Sequence, residues 1–451
     1  MSSTMMQIKP EDLDTAEKRG KYTIAIIGCG QNGILHAYLF AEAGFKVTCV
    51  DPDPAIINLL AKGKAPFINH AMETKFKDHA RNGRINATND TKTAVSQADS
   101  ILIAVPVKID KKRKPDYTDI ENHCKRVGAG LHRGSLIVSI SVVGISVTQG
   151  LIRETLENNS GLRVGTDFGL AYSPTNALNG NTLENFPARE RIVAAIDRQS
   201  LSAASTLLQA ITKERLREVE DLKTAEAVAL FRIVHQDVDI ALANEFAIFC
   251  ENAGIDYNSV AALTLSLPAL AGTDTHESHI LQENAENLNT KLRMPATARE
   301  VNEETVKHAV NLVKDALKNC GKTLKRARIT LLGISHTQDM KSSLKEAAKE
   351  LAETLEARGA KISIYDPHLK EDELAEIPFP KKKSLTEALE GADCIVILTA
   401  HDQFKRLNLK KLKITMRMPA AIVDFDNTFE PDKIEKEDLT YRGLGRGVWK
   451  K

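Results

Sequence analysis

The feature that most constrains the fold is the stretch between residues 22 and 51. It begins with the apolar run YTIAIIG, continues with the turn GCGQNG and a helical pattern that ends at Gly44, and closes with the run KVTCVD. Apolar runs without alternation are typical of strands buried on both faces of a parallel sheet. Strand, glycine turn, helix and strand in this order predict a βαβ unit, with Gly44 as the helix C-cap.

The glycine turn predicts a dinucleotide site, because it joins a strand to a helix and an acid, Asp51, ends the next strand. Gly28 would make the tight turn, Gly30 would let backbone amides reach a pyrophosphate, and Gly33 would let helix and strand pack closely. The carboxylate of Asp51 would bind ribose hydroxyls and repel a 2′-phosphate, so NAD is favoured over NADP. The alternative is a Rossmann fold whose cofactor site has closed.

The remaining hydrophobic pattern divides the chain into further regions. Strand candidates at 100–106 and 135–143 extend the first sheet, helical patterns fill about 200–320, and strands alternate with helices again from 328. We therefore predict an α/β protein with two Rossmann-like domains with parallel sheets, joined by a long central helix and a helical dimerisation region. The predicted regions are a polar leader (1–20), an NAD-binding domain (21–200), a central helical domain (201–322) and a C-terminal Rossmann-like domain (323–451).

The stretch from 224 to 254 predicts the central helix, since it has no glycine or proline inside it. Its apolar residues form more than one stripe: Val228, Phe231, Val238, Leu242, Phe246 and Phe249 form one, and Leu230, Ile233 and Ile240 start another. A helix that is apolar on several sides must be covered on several sides. We expect it to contact the flanking domains and a partner subunit, and we expect His235 to be a core or interface histidine.

Composition argues against several classes of protein. The chain has 61 Lys and Arg residues and 60 Asp and Glu residues, so its net charge is +1. This balance gives no excess of positive charge that would attract nucleic acid or an anionic membrane. The six cysteines include no CxxC pair and mostly lie in apolar runs, which predicts buried free thiols. No segment has the pattern of a signal peptide or approaches the ~20 apolar residues that span a bilayer. We predict a cytoplasmic protein without nucleic-acid or membrane partners.

Segments along nearly the whole chain are similar to the UDP-glucose/GDP-mannose dehydrogenase family, the NAD-dependent nucleotide-sugar 6-dehydrogenases. They include GCGQNG, AVPV (104–107), GLRVGTDFGLAYSP (161–174), the central helix, LLGISHTQD (331–339), TAHDQF (399–404) and YRGLGRG (441–447). The resemblance implies a homodimer built by the long helix, a UDP-binding C-terminal domain, and NAD-dependent oxidation of a UDP-sugar C6 alcohol for polysaccharide synthesis. It also adds residues to the cofactor site: Gln31, Asn32, Val105, Pro106 and Ser141, the last at a family threonine position.

The family's catalytic residues are missing at the positions that match its motifs. In the family, a cysteine thiolate captures the aldehyde, a lysine and an asparagine on the central helix stabilise the oxyanion, and a glutamate assists hydrolysis. Here the corresponding positions carry Glu277, Ala229, Ile233 and Thr175. In the C-terminal domain, three cationic positions of the nucleotide site are also replaced, by Thr337, Leu344 and Asp426.

The segment GTDTHESHIL (272–281) takes the place of the cysteine loop. His276, Glu277 and His279 are therefore the candidate catalytic residues of a replacement acid–base site. His276 and His279 are three residues apart and could share a helical face, as metal ligands can. A polar loop inherited from the former active site explains the same residues, and we predict no metal.

Two functions follow from these observations. In the first, the chain is an NAD-dependent oxidoreductase that removes two electrons from the CH–OH group of an altered substrate, with His276 or His279 as base. In the second, it is a catalytically silent paralogue that binds NAD and a nucleotide or nucleotide sugar. Such a paralogue would regulate an active dehydrogenase or act as its partner.

Overall fold

The computed structural model describes residues 4–68, 70–175, 190–214, 216–264, 277–340, 342–369 and 377–447. The chain divides into two compact units. Unit one comprises Met1–Ile233 and His276–Lys291, and unit two comprises Val234–Thr275 and Leu292–Lys451.

Unit one is built on an eight-stranded sheet. Its strands and a small ribbon are β1 (Thr23–Ile27), β2 (Lys46–Val50), β3 (Ile85–Thr88), β4 (Ser100–Ile103), β5 (Lys108–Ile109), β6 (Pro115–Asp116), β7 (Leu136–Ser139), β8 (Gly169–Tyr172), β9 (Ile192–Ala195) and β10 (Arg217–Glu218). The order across the sheet is β10-β9-β8-β7-β4-β1-β2-β3. Neighbours are parallel except β8 and β9, and β5 pairs with β6 in the separate ribbon.

The helices follow the predicted alternation with strands. They are α1 (Ala16–Arg19), α2 (Gln31–Ala43), α3 (Pro54–Ala61), α4 (His70–Arg81), α5 (Thr91–Ser96), α6 (Thr118–Gly128), α7 (Arg153–Ser160), α8 (Arg198–Gln209), α9 (Leu222–Ala253), α10 (Tyr257–Thr264), α11 (Ser278–Asn287), α12 (Arg293–Asn319), α13 (Glu346–Ala357), α14 (Leu385–Leu389), α15 (Asp402–Lys405), α16 (Leu409–Thr415) and α17 (Pro431–Glu435). A π-helical turn, Thr148–Ile152, precedes α7. Gly44 ends α2 at a φ of 110°, which confirms the predicted C-cap.

The core of unit one lies on both faces of its sheet. Every residue of β4 and β7 is buried, which confirms the prediction drawn from unbroken apolar runs. The described part of the leader also contributes to the buried residues, through Met5 and Met6. All six cysteines are buried and free, as predicted.

The central helix α9 is 32 residues long. Leu230, Ile233 and Ile240 are buried, but a row formed by Phe231, Leu242, Phe246 and Phe249 is exposed. At 3.6 residues per turn, these four positions fall within about 60° of one another. We call them the exposed apolar row. The homodimer that such a row would form stays a prediction.

His235 contradicts one of the two settings predicted for it, the core. Its side chain is 80% exposed and lies 3.2 Å from Asp239, one helical turn away. The core alternative is therefore wrong. The interface alternative stays a prediction, because at 3.6 residues per turn His235 lies within the arc of the exposed apolar row.

Unit two contains a five-stranded parallel sheet. Its strands are β11 (Arg328–Leu332), β12 (Lys361–Tyr365), β13 (Cys394–Ile397), β14 (Ala421–Asp424) and β15 (Thr440–Gly443), in the order β12-β11-β13-β14-β15. Alternate residues of β11 enter two different hydrophobic clusters, with Leu331 in one and Leu332 in the other. The predicted α/β class with two Rossmann-like parallel sheets is confirmed. Within the described part of the chain, no helix has the length and apolar character to cross a membrane.

Candidate functional site

The predicted cofactor residues follow four strands of the first sheet. Gly28 follows β1, Asp51 follows β2, Val105 and Pro106 follow β4, and Ser141 follows β7. These strands are neighbours in the order β7-β4-β1-β2, and the direction of the strand order reverses between β4 and β1. Open α/β sheets bind their ligands at the carboxyl ends of the strands beside such a switch point. The fold therefore brings these residues to one edge.

The three glycines of the turn differ in what surrounds them. Gly28 has a φ of +93°, and a Cβ there would lie 3.0 Å from the carbonyl oxygen of Ala104. A Cβ on Gly33 would lie 1.9 Å from the carbonyl oxygen of Gly28, so no side chain fits. A Cβ on Gly30 would meet nothing within 4 Å. Packing explains why Gly28 and Gly33 are glycines. At Gly30 packing requires no glycine, and the open space there would allow a pyrophosphate to approach the backbone closely.

The N-terminus of α2 faces this turn. Gly30 is its N-cap, and no side chain caps the helix. The first backbone bond of the helix joins the amide of Ile34 to the carbonyl of Gly30, at 3.0 Å. The preceding amides, including those of Gln31 and Asn32, have no acceptor within the helix and carry partial positive charge. This arrangement fits the diphosphate of NAD, which when bound supplies a hydride acceptor.

Asp51 is held in place by backbone amides. The amide of Cys29 donates to Oδ2 at 2.8 Å, and that of Asp53 donates to Oδ1 at 3.0 Å. A carboxylate has about four acceptor positions, so two remain for ribose hydroxyls. The hydroxyl of Ser141 donates to the carbonyl of Ile103 at 3.3 Å, which fixes it at the end of the neighbouring strand.

Glu226, near the start of α9, holds the loop that follows Ser141. Its fully buried carboxylate accepts hydrogen bonds from the amides of Ser146 at 2.6 Å and Thr148 at 2.8 Å. Burial raises the pKa of Glu226, and the two amides act against that rise. Glu226 is not among the predicted site residues, although an acid at the start of a buried apolar helix is a signal for such a role.

Two further side chains hold the same loop. The hydroxyl oxygen of Tyr117 accepts from the amide of Gly144 at 3.0 Å, and the side-chain oxygen of Asn284 accepts from the amide of Ile145 at 2.7 Å. Burial raises the pKa of Tyr117 to about 12, so its hydroxyl stays protonated. Asn284 lies on α11, and this helix therefore packs beside the loop after β7.

The candidate catalytic residues lie at or before the start of α11. His276 lies outside the described residues. Glu277 immediately precedes the helix and is partly exposed. His279 is 7% exposed, and its Nδ1 lies 3.1 Å from Oε1 of Gln282. The catalytic roles of all three stay predictions, as do the roles of the individual cofactor residues.

The positions that correspond to the family's other catalytic residues are buried. Ala229 and Ile233 lie on the packed side of α9. Thr175 is buried beyond β8, and its hydroxyl lies 3.4 Å from Nε2 of His36.

A buried polar cluster stands behind the glycine turn. Nη2 of Arg191 donates to Nε2 of His36 at 2.8 Å, so the ring proton is on Nδ1, which donates to the carbonyl of Asn32 at 2.7 Å. The Asn32 side-chain amide donates to the carbonyl of Thr175 at 3.1 Å. Burial, followed by the nearby Arg191 charge, lowers the pKa of His36 to about 3. The cluster therefore holds the first turn of α2 in place through hydrogen bonds at Asn32, and the histidine in it is neutral.

Comparison with known proteins agrees with this architecture. The NAD binding domain of the UDP-glucose/GDP-mannose dehydrogenase family matches residues 22–212, and the UDP binding domain of that family matches residues 330–431. A UDP-N-acetyl-D-mannosamine dehydrogenase of Pyrococcus horikoshii is 26% identical, over 94% of this chain and 99% of that protein. A UDP-glucose 6-dehydrogenase of Rhizobium meliloti is 25% identical, over 94% of this chain and 99% of its own length.

Solved structures show the same similarity. The structure of the UDP-D-ManNAc dehydrogenase from Pyrococcus horikoshii matches with a TM-score of 0.82 and 25% identity, over 94% of this chain and all 100% of the other. The glycine turn, the two predominantly parallel sheets and both domain matches all indicate the same family. The chain therefore belongs to the UDP-glucose/GDP-mannose dehydrogenase family of NAD-dependent nucleotide-sugar dehydrogenases, and its cofactor is NAD.

Proposed function

We propose that this chain binds NAD and a nucleotide-sugar ligand without carrying out the family's complete oxidation of a C6 alcohol to a carboxylate. The observation that carries the proposal is the pair Ala229 and Ile233 on the buried side of α9. The resemblance places a lysine and an asparagine there. Hydrocarbon side chains donate no hydrogen bond to a developing oxyanion, and removing one such donor typically costs about 10²–10³ in kcat.

The thiol required for the second hydride transfer is also missing from the expected segment. No cysteine occurs between Cys250 and Cys320, and all six cysteines of the chain are buried. Burial raises the pKa of Cys124 to about 12, which is typical of a thiol that does not act as a nucleophile. Glu277, at the matching position, offers a carboxylate, which forms no thiohemiacetal from which a hydride could leave.

Two activities are compatible with this chemistry. One is a single two-electron oxidation of a CH–OH group, with Glu277 or one of His276 and His279 taking the proton. The other is a catalytically silent protein that regulates an active dehydrogenase or assembles with it. The burial of His279 and its contact with Gln282 favour the silent form, because a general base must reach the substrate.

Turnover assays with product analysis separate these possibilities. Purified protein would be incubated with NAD and either UDP-N-acetylmannosamine or UDP-glucose, the substrate types named for the relatives. Reduced nicotinamide would be followed by absorbance, and sugar products by mass spectrometry. We expect no uronate. Formation of a uronate with two NADH per sugar would overturn the proposal, and formation of an aldehyde or ketone with one NADH would establish the single oxidation.

Cofactor binding needs a separate measurement. Calorimetric titration with NAD should show binding to the wild-type chain whether or not any sugar is oxidised. Loss of binding in Gly30→Ala, with folding intact by circular dichroism, would assign that binding to the glycine turn. Participation in polysaccharide synthesis, a cytoplasmic location and homodimer formation through the exposed apolar row remain parts of the proposal.

A further inference from the structure

Two histidines and an aspartate converge at the carboxyl edge of the second sheet. Asp339 lies in the loop after β11, His368 follows β12, and His401 follows β13. These strands are neighbours in the order β12-β11-β13. One ligand atom from each residue lies within 4.8 Å of the others. Three segments that are distant in sequence therefore present a set of possible metal ligands at one point.

The distances are close to those of a coordination sphere. Oδ1 of Asp339 lies 3.7 Å from Nδ1 of His401 and 3.8 Å from Nε2 of His368. Ligand atoms at 2.0–2.1 Å from a tetrahedral zinc ion stand roughly 3.3 Å apart. The two carboxylate–imidazole separations exceed that spacing by about half an ångström, and the two imidazole nitrogens lie within 4.8 Å of each other and would move closer on binding.

The buried His401 already has the tautomer that such a site needs. The amide of Asp339 donates to its Nδ1 at 2.9 Å, so the ring proton is on Nε2. Nε2 lies 3.4 Å from Oδ2 of the buried Asp366 and 3.3 Å from the hydroxyl of Ser335. Metal-bound histidines usually donate their second ring N–H to a carboxylate, which orients the ring. Asp366 occupies that position.

The lone pair on Nδ1 of His401, which a metal would use, accepts the hydrogen bond from the amide of Asp339. Asp339 has a φ of 54°, in the left-handed region that few residues other than glycine adopt. A metal at Nδ1 would displace this amide, so binding requires the peptide before Asp339 to rotate. The carboxylate also accepts from the amide of Asp402 at 2.9 Å and from the side chain of Gln338 at 3.0 Å. These contacts leave lone pairs for a metal, because a carboxylate offers about four.

We propose that Asp339, His368 and His401 bind one divalent transition-metal ion, with Asp366 positioning His401. Two imidazoles and one carboxylate suit Zn²⁺ or Co²⁺, whereas Mg²⁺ and Ca²⁺ prefer oxygen ligands. The bound ion joins the loops after three adjacent strands and stabilises the second sheet. The proposal of this site does not rest on the function proposed above, although the three residues lie within the stretch that matches the UDP binding domain, residues 330–431.

Metal titration of the full chain tests the site. Protein freed of metal with a chelator would be titrated with Zn²⁺ by calorimetry, and Co²⁺ would report its ligands by visible absorption. We expect one ion per chain, a rise in thermal midpoint on binding, and no competition from Mg²⁺. His368→Gln should weaken Zn²⁺ binding at least tenfold and abolish the rise in midpoint.

His235→Gln is the matched control, because His235 is exposed and its ring lies beside a carboxylate, that of Asp239, at 3.2 Å. It should bind Zn²⁺ as the wild type does. Circular dichroism would verify that His368→Gln is folded, and Asp339→Asn provides a second variant with the same expected loss. Absence of Zn²⁺ binding would overturn the proposal. Equal binding by the wild type and either variant would also overturn it and would indicate an adventitious ion only.

Discussion

Replacing His36 with glutamine tests whether the buried cluster behind the glycine turn excludes a proton. Nε2 of His36 accepts a hydrogen bond from Arg191, so a proton there would set two donors against each other. The pKa of His36 is about 3 in the folded chain, against the ordinary 6.5. At about 1.4 kcal/mol for each tenfold change in proton concentration, this interval corresponds to about 5 kcal/mol.

The direction in which the free energy of unfolding changes with pH depends on whether the folded or the unfolded chain binds the proton. Above pH 6.5, His36 is neutral in both states, and its full stabilising contribution is present. As the pH falls, the unfolded chain takes up the proton and the folded chain does not, so the free energy of unfolding decreases until about pH 3. At pH 5, roughly 2 kcal/mol of the contribution would be lost.

Chemical denaturation at several pH values, followed by circular dichroism, measures this effect. Glutamine does not titrate and keeps an uncharged acceptor for Arg191. Wild type should therefore lose about 2 kcal/mol more than His36→Gln between pH 7 and pH 5, in the transition of unit one. His235→Gln removes an exposed histidine and should retain the wild-type pH dependence. A difference of less than about 0.5 kcal/mol between wild type and His36→Gln over this range would show that the folded chain does not exclude the proton from His36.

Further substitutions test the glycine turn, the loop after β7 and the proposed dimer. Gly30→Ala should lower the free energy of unfolding by no more than about 1 kcal/mol, because Ala is a poorer N-cap than Gly but φ is −71° and the space is open. It should weaken NAD binding at least about tenfold in calorimetry; unchanged affinity would exclude a pyrophosphate there. Gly33→Ala should destabilise unit one by about 1–3 kcal/mol in denaturation, because its Cβ meets the Gly28 carbonyl at 1.9 Å. Glu226→Gln should lower the free energy of unfolding by about 1.5–3 kcal/mol, since only one of the two loop amides keeps its acceptor. An unchanged free energy in the same assay would contradict the assigned hydrogen bonds. Phe249→Asp should weaken self-association in sedimentation experiments at least about tenfold while leaving the fold intact, because this side chain is 67% exposed; a wild-type chain that sediments as a monomer would refute dimer formation.

The glycine turn shows how much a local pattern determines. Unbroken apolar runs identified β1 and β2, and the intervening glycines identified the turn, because each depends on backbone geometry within a few residues. The positions at which strands end were predicted less accurately. The run at 135–143 forms a strand only over Leu136–Ser139. Beyond it the chain leaves the sheet, and Ser141 reaches the carboxyl edge where the predicted cofactor residues lie.

By itself, the sequence determined the α/β class, the βαβ unit and the length of α9, because hydrophobic periodicity and backbone preference act over one or two turns. Only the tertiary structure decided which distant polar groups meet. Glu226 binds an amide 80 residues earlier, and Arg191 meets a histidine 155 residues away. Asp339, His368 and His401 converge because three strands are neighbours in the sheet. Periodicity shows which face of an element is buried, but strand order and crossovers decide what that face meets.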